Sequence, residues 1–163
     1  MLRSTYVALA LLAVAGLAQP ARAQVMGGLQ VTADQWKASE DGGYDWGRNY
    51  GVGFRVAGGE RKLRGYATLD LMPAGGGPFY YLLTAGAIFG LRGEHEGAWP
   101  YLGLGAVCAL DYGVNQTGRG ICGYQGLGGL RLGAGKYLPY VELQYSLKTN
   151  MKRVGLVMGI YTN

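Results

Sequence analysis

The stretch Pro139-Tyr140-Val141-Glu142-Leu143-Gln144-Tyr145-Ser146-Leu147-Lys148 alternates between two kinds of side chain. Successive side chains of a β-strand point to opposite faces, so one face is apolar and the other carries Tyr140, Glu142, Gln144, Ser146 and Lys148. The polar face has ionisable groups in the middle of the strand. This pattern favours apolar side chains outside and polar side chains inside, which is the arrangement that a lipid bilayer requires.

The same alternation recurs along the chain between turns rich in Gly, Pro, Asn and Asp. Eight strands are predicted, at about 25–32, 50–57, 62–72, 79–91, 99–110, 122–133, 139–148 and 152–162. A polar loop is predicted between the first two strands, from Ala33 to Asn49. The first, third and fifth connections are longer than the second, fourth and sixth, as in membrane barrels with long outer loops. The sequence therefore predicts an all-β protein, an eight-stranded antiparallel up-and-down transmembrane β-barrel.

The N-terminus has the features of a secretory signal peptide. Arg3 precedes an apolar run from Tyr6 to Ala18, and Ala21-Arg22-Ala23 is a small-x-small cleavage site. The run is shorter than the roughly 20 residues of a membrane-spanning helix. The predicted organisation is a signal peptide at 1–23 and a barrel domain at 24–163.

Composition agrees with an exported barrel. The chain has 31 Gly and 13 Tyr, which disfavour helices and suit many short strands. Without Arg3 and Arg22 there are 13 basic and 10 acidic residues, a net charge of +3, which does not argue for nucleic-acid binding. The two cysteines, Cys108 and Cys122, fit a disulfide formed outside the cytoplasm, and two free thiols are the alternative.

The polar face of the predicted strands indicates a network inside the barrel. An eight-stranded barrel is barely wide enough for its own side chains, and buried charges there should pair. We expect Arg55, Arg64 and Arg131 to share Glu142 and Asp70. The full predicted lumen network is Arg55, Arg64, Asp70, Gln125, Arg131, Glu142, Gln144 and Lys148, and Gln30 shares its phase. Aromatic belts are predicted at the two membrane interfaces, with Trp99, Tyr101, Tyr137 and Tyr140 at the inner ends and Phe79, Tyr81, Tyr124 and Tyr145 at the outer ends.

Two Pro-Tyr-led segments, 100–105 and 139–145, resemble strands of small outer-membrane β-barrel proteins, the opacity-type porin superfamily. The segment 154–161 is similar to the final strand of that family. The chain departs from the family at its end, where Tyr161-Thr162-Asn163 stands in place of a terminal aromatic residue. The resemblance implies a bacterial outer-membrane location, with outer-membrane lipid and the barrel-assembly machinery as partners.

No catalytic, metal-binding or cofactor-binding constellation is predicted. The only histidine, His95, lies in a predicted turn between two glutamates, and no Ser/His/acid arrangement is credible. The expected function is a non-enzymatic structural or surface-interaction role. The outer loops, especially Trp36, Tyr44 and Trp46, would contact any surface ligand.

Two alternative functions are also compatible with the sequence. One is a narrow channel or a binder of small apolar molecules, with a pocket lined by Leu82, Ile88 and Leu127. The other is a soluble periplasmic barrel of lipocalin type, which requires Val141, Leu143 and Leu147 to be buried and Glu142 and Gln144 to be exposed.

Overall fold

The computed structural model describes residues 24–40, 43–60, 62–73, 79–92, 97–111, 121–133, 135–148 and 151–162, and the predicted signal peptide and His95 lie outside these ranges. These residues form eight β-strands: β1 (Gln24–Glu40), β2 (Gly43–Gly59), β3 (Leu63–Pro73), β4 (Phe79–Gly90), β5 (Ala98–Asp111), β6 (Ile121–Leu132), β7 (Tyr137–Lys148) and β8 (Met151–Thr162). No helix in this part of the chain is long and apolar enough to cross a membrane.

The strands form a closed barrel in which each strand pairs antiparallel with its neighbours in the sequence. The ring is closed by β1 and β8, whose register runs from Gly27↔Thr162 to Ala38↔Met151. Closure gives every strand a hydrogen-bonded neighbour on both sides, so the wall of the barrel has no edge strand. The prediction of an eight-stranded antiparallel up-and-down barrel is confirmed.

Side chains alternate between a buried inner face and an exposed outer face. On β7, Glu142 is 1% exposed and Leu143 is 60% exposed. The same phase holds on β3, where Arg64, Tyr66, Thr68 and Asp70 are buried. An alternation with a period of two residues follows directly from the pleat of a strand, so the local sequence pattern is enough to assign each face.

The predicted loop from Ala33 to Asn49 is wrong, because most of it is paired β-strand. Strand β1 continues to Glu40 and β2 begins at Gly43, with Glu40↔Gly43 as the last pair. The polar residues continue the strand alternation, since Asp34 turns inward and its carboxylate accepts a hydrogen bond from Arg153. The predicted alternation of long and short connections therefore fails at the first connection, which spans only residues 41 and 42.

Inward-facing glycines make room for large side chains on the neighbouring strand. A Cβ added at Gly129 would lie 2.5 Å from the ring of Tyr101, its partner across the β5–β6 pair. A Cβ at Gly159 would lie 2.5 Å from the ring of Tyr140 in the same way. Both rings therefore occupy the space that a Cβ on the opposite glycine would fill, which lets a narrow lumen hold several aromatic side chains.

Candidate functional site

The candidate site is the barrel lumen, where buried polar, charged and aromatic side chains from different strands contact one another. The end of the barrel that holds Gln24 and Thr162 is the inner end, and the opposite end is the outer end.

A layer of aromatic rings and guanidinium groups occupies the inner end. The Arg131 guanidinium lies 4.7 Å from the centre of the Trp99 ring and the Arg64 guanidinium 5.4 Å from it. Both arginines also approach the sulfur of Met26, with Nη1–Sδ distances of 3.3 Å for Arg64 and 3.7 Å for Arg131. The Trp99 indole donates a hydrogen bond to the carbonyl of Arg92 at 3.1 Å. Cations over an indole face are attracted by its quadrupole, so this layer binds strands β1, β3, β5 and β6 together.

The centre of the lumen holds a buried ion pair between Arg55 on β2 and Glu142 on β7. Arg55 Nη1 donates to Glu142 Oε1, and both side chains are 0% exposed. Glu142 also accepts from the Tyr101 hydroxyl at 2.7 Å and from Gln144 Nε2 at 3.1 Å. The Arg55 guanidinium lies 4.5 Å from the centre of the Tyr66 ring, and it is also within 6 Å of the Tyr140 and Tyr161 ring centres. The pair thus links two strands that are not neighbours in the ring.

A chain of hydrogen bonds runs beside the ion pair. The Tyr140 hydroxyl donates to Gln30 Oε1 at 2.6 Å, and Gln30 Nε2 donates to Asp70 Oδ1 at 2.7 Å. The Thr32 hydroxyl donates to the same carboxylate oxygen at 3.3 Å. Asp70 thus accepts hydrogen bonds from a neutral amide and a hydroxyl, and the contacts of Arg64 and Arg131 include an aromatic ring and a thioether. Of the predicted pairings, the described contacts include the ion pair of Arg55 with Glu142; the sharing of Asp70 and Glu142 with Arg64 and Arg131 stays a prediction.

A second buried ion pair lies further towards the outer end. Arg153 Nε donates to Asp34 Oδ2 at 2.7 Å, and Arg153 Nη1 lies 3.1 Å from Gln144 Oε1 and 3.4 Å from Gln125 Oε1. Ser146 donates to Gln125 at 3.2 Å. Sequence reasoning missed Asp34 and Arg153. A signal was present in both cases, since Asp34 shares the phase of Gln30, and Arg153 is out of phase with the apolar row at Val154 and Leu156.

Buried apolar side chains in the lumen form two separate clusters. Met72, Leu82 and Val107 form one buried cluster, with Ala109 packed against it. Ile88 and Leu127 belong to a different cluster at the inner end, with Trp99 and Tyr101. The predicted apolar pocket lined by Leu82, Ile88 and Leu127 is therefore wrong, because the three residues are divided between two filled layers.

The structure also includes the two predicted disulfide cysteines and the backbone of the predicted outer-loop residues. Cys108 and Cys122 form a disulfide between directly opposed residues of β5 and β6, with 4.0 Å between their Cα atoms. The backbones of Trp36, Tyr44 and Trp46 lie within strands β1 and β2, not in a loop, and their side chains are outside the described ones, as is that of Lys148.

Of the predicted aromatic belts, Tyr81, Tyr124, Tyr137 and Tyr145 are exposed. Trp99, Tyr101 and Tyr140 are buried in the lumen, so that part of the belt prediction is wrong.

The geometry of the lumen suits a filled interior. Ion pairs and hydrogen bonds connect β1, β2, β3, β5, β7 and β8 across the bore, and each charged group described above meets a carboxylate, an amide or a ring. Among the described side chains, no three His, Cys, Asp or Glu residues are grouped to hold a metal ion. The arrangement stabilises one closed packing of the lumen.

Comparison with known proteins shows the fold. No family model matches the chain, and no curated protein matches it. Among solved structures, neisserial surface protein A is similar with a TM-score of 0.69 and 14% sequence identity, over 87% of this chain and 99% of that one. The N-terminal β-barrel domain of Pseudomonas aeruginosa OprF is similar with a TM-score of 0.55 and 13% identity, over 85% and 99% of the two chains. The chain therefore has the fold of small eight-stranded outer-membrane β-barrels.

Proposed function

We propose that this chain is a non-enzymatic β-barrel of the bacterial outer membrane with a structural or surface-interaction role. The observation that carries the proposal is the sidedness of the wall. Leucine, valine, phenylalanine and methionine side chains cover the outside, while four arginines and three carboxylates are buried within. Removing apolar surface from water is worth roughly 25 cal/mol per Å², so such a wall is favourable against lipid chains and unfavourable against water.

The dimensions of the barrel support the membrane location. The shorter strands have 11 or 12 residues. At about 3.3 Å per residue and a tilt of about 40°, a strand of this length spans roughly 30 Å. That height covers the apolar band of about 25 Å seen on membrane barrels. Outer-membrane lipid is thus the proposed surrounding, and the barrel-assembly machinery the proposed partner during insertion.

The outer end offers a surface for interaction. Pairing between β2 and β3 stops at Val52↔Leu71, whereas β2 itself begins nine residues earlier at Gly43. The hairpin of β1 and β2 therefore projects beyond the wall on the β3 side. Trp36, Tyr44 and Trp46 belong to this hairpin, and we propose it as the segment that contacts a surface ligand.

Membrane insertion can be tested by sarkosyl fractionation with heat-modifiable gel mobility. We expect the chain in the sarkosyl-insoluble envelope fraction, with unheated protein migrating differently from heated protein because the closed barrel resists detergent at room temperature. The same protein unfolded in urea is the control and should migrate like the heated sample. A chain in the soluble fraction whose mobility does not change on heating would refute the membrane proposal.

The two alternative functions are a soluble lipocalin-type barrel and a narrow channel. The lipocalin-type barrel is contradicted, since Leu143 is exposed and Glu142 and Gln144 are buried. The described side chains argue against a narrow channel, because hydrogen bonds and ion pairs bridge the lumen at several heights. We expect planar bilayers containing the refolded barrel to remain electrically silent, and discrete single-channel steps would contradict the filled lumen.

A further inference from the structure

An apolar groove lies on the outer surface of the wall where β8, β1, β2 and β3 run side by side. Its volume is about 570 Å³, within the roughly 300–1,000 Å³ typical of sites for small ligands. The groove is lined almost entirely by apolar side chains and backbone; they include Val31, Ala33, Tyr50, Leu71, Leu156 and Met158.

The register explains why the wall is indented there. Ala33 is paired with Leu156 on one side and with Tyr50 on the other. A methyl side chain between two long ones leaves a depression, and Val31, two residues further along the same face, extends its floor towards the inner end. Contact with lipid in general requires no depression in the wall. The depression at Ala33 can therefore favour one kind of apolar group over others.

Exposed cations lie next to the groove on its outer side. Arg48 is exposed and lies on the same face of β2 as Tyr50, two residues before it and about 7 Å further towards the outer end. Lys152 is exposed and lies on β8, four residues before Leu156, or about 13 Å in the same direction. Gln35, an exposed residue paired with Arg48, lies between them on β1. The three exposed side chains named at the outer edge of the groove are therefore basic or neutral.

We propose that this groove binds a phosphorylated glycolipid of the outer leaflet, with an acyl chain in the groove and a phosphate at Arg48 and Lys152. The inference rests on the proposed membrane location, which puts the cations at the head-group level and the groove at the level of the acyl chains. Basic side chains close to a membrane surface attract anionic lipid heads. A second copy of this chain fits less well, because a two-fold contact would bring the like charges of the two copies together.

Binding of the glycolipid to the barrel should depend on both its phosphates and the groove. The probe is bis-phosphorylated lipid A, added to the refolded barrel in detergent and counted by native mass spectrometry. Replacing both cations by Arg48→Gln and Lys152→Gln should weaken binding about 30-fold, from about five-fold for each cation. Ala33→Leu should also weaken it, because the leucine fills the depression. The same lipid without phosphates should bind the wild-type barrel as weakly as the phosphorylated lipid binds the double variant.

Matched variants separate local binding from general charge and from folding. Lys62→Gln with Lys136→Gln removes two exposed cations at the inner end and should change binding less than two-fold. Arg48→Lys with Lys152→Arg keeps both charges and should retain binding even if the glutamine variant fails to fold. Equal binding of the phosphorylated and dephosphorylated lipids, or of both glutamine pairs, would overturn the inference.

The membrane proposal is checked separately in the same samples. If the wild-type chain is soluble and its gel mobility does not change on heating, the proposed function fails and this inference fails with it. If the variants insert and are heat-modifiable but lipid A binds them all alike, or if the groove is occupied by a second barrel in a lipid-free dimer, only the lipid site is refuted.

Discussion

Replacing Glu142 by glutamine should remove the carboxylate that forms the ion pair with Arg55 without changing the size of the side chain. In the folded barrel Glu142 accepts hydrogen bonds from Arg55, Tyr101 and Gln144. Neither member of the ion pair is exposed to solvent. The Glu142→Gln variant would therefore leave the Arg55 guanidinium buried in the lumen opposite a neutral amide.

The magnitude follows from the burial of that cation. Removing one partner of a buried ion pair costs about 3–5 kcal/mol, because the other charge loses its compensation. Part of that cost is offset here, since three tyrosine rings remain around the Arg55 guanidinium and a cation over an aromatic ring gains about 0.5–2 kcal/mol. We expect the free energy of unfolding to fall by about 3 kcal/mol.

A second substitution tests whether the unpaired charge is the cause. In Arg55→Met with Glu142→Gln, the buried cation is gone and the amide oxygen at position 142 can still accept from the Tyr101 hydroxyl. Replacing both partners of a buried pair is often neutral or stabilising. The double variant should therefore be more stable than Glu142→Gln alone, by about 2 kcal/mol, and the two substitutions should be far from additive.

The assay is urea unfolding of the barrel in lipid vesicles, followed by tryptophan fluorescence and by gel mobility. Glu60→Gln makes the same chemical change at an exposed position at the inner end, and it should alter the unfolding free energy by less than about 0.5 kcal/mol. If Glu142→Gln matches that control, or if the double variant is less stable than Glu142→Gln, then the lumen does not depend on this pair.

Three further predictions concern the wall and its packing. Leu143→Arg puts a charge on the lipid-facing side and should lower the unfolding free energy in vesicles by about 2–4 kcal/mol; an unchanged urea midpoint would contradict a membrane-facing wall. Cys108→Ser opens a disulfide that closes a loop with a sequence separation of 14 and should cost about 3 kcal/mol, which wild-type protein should also lose on reduction. Gly129→Ala places a Cβ against the ring of Tyr101 and should cost about 1–3 kcal/mol. Gly126→Ala has its nearest neighbour at 3.9 Å and should leave the urea midpoint unchanged; equal effects of the two alanines would argue against the packed lumen.

The amino-acid sequence alone indicates eight strands and the alternation of apolar and polar side chains between the two faces of each predicted strand. On β7 the alternation of Val141, Glu142, Leu143 and Gln144 is enough, because a strand repeats every two residues whatever surrounds it. Apolar and polar faces could then be assigned to the outside and the inside by the position of the charges, and the structure agrees on every strand whose side chains it describes. The disulfide is likewise compatible with the sequence of an exported chain with two cysteines, and the structure pairs Cys108 with Cys122.

The sequence could not give the partners within the lumen. Arg55, Arg64 and Arg131 share an inward phase, yet Arg55 contacts Glu142 while the other two lie against Trp99. Their heights along the barrel differ, and height depends on the register of every strand pair around the closed ring. Local alternation carries no information about that register.

The length of the first hairpin also depends on contacts between strands that are far apart in the sequence. Polar residues after Thr32 indicate a loop when only neighbours in the chain are considered. In the barrel, β8 lies beside β1 and supplies Arg153 to the carboxylate of Asp34, so an acidic residue can continue a strand into the lumen. The phase of each side chain is a property of the local backbone, whereas its partner is set by ring closure, which joins residues 119 positions apart.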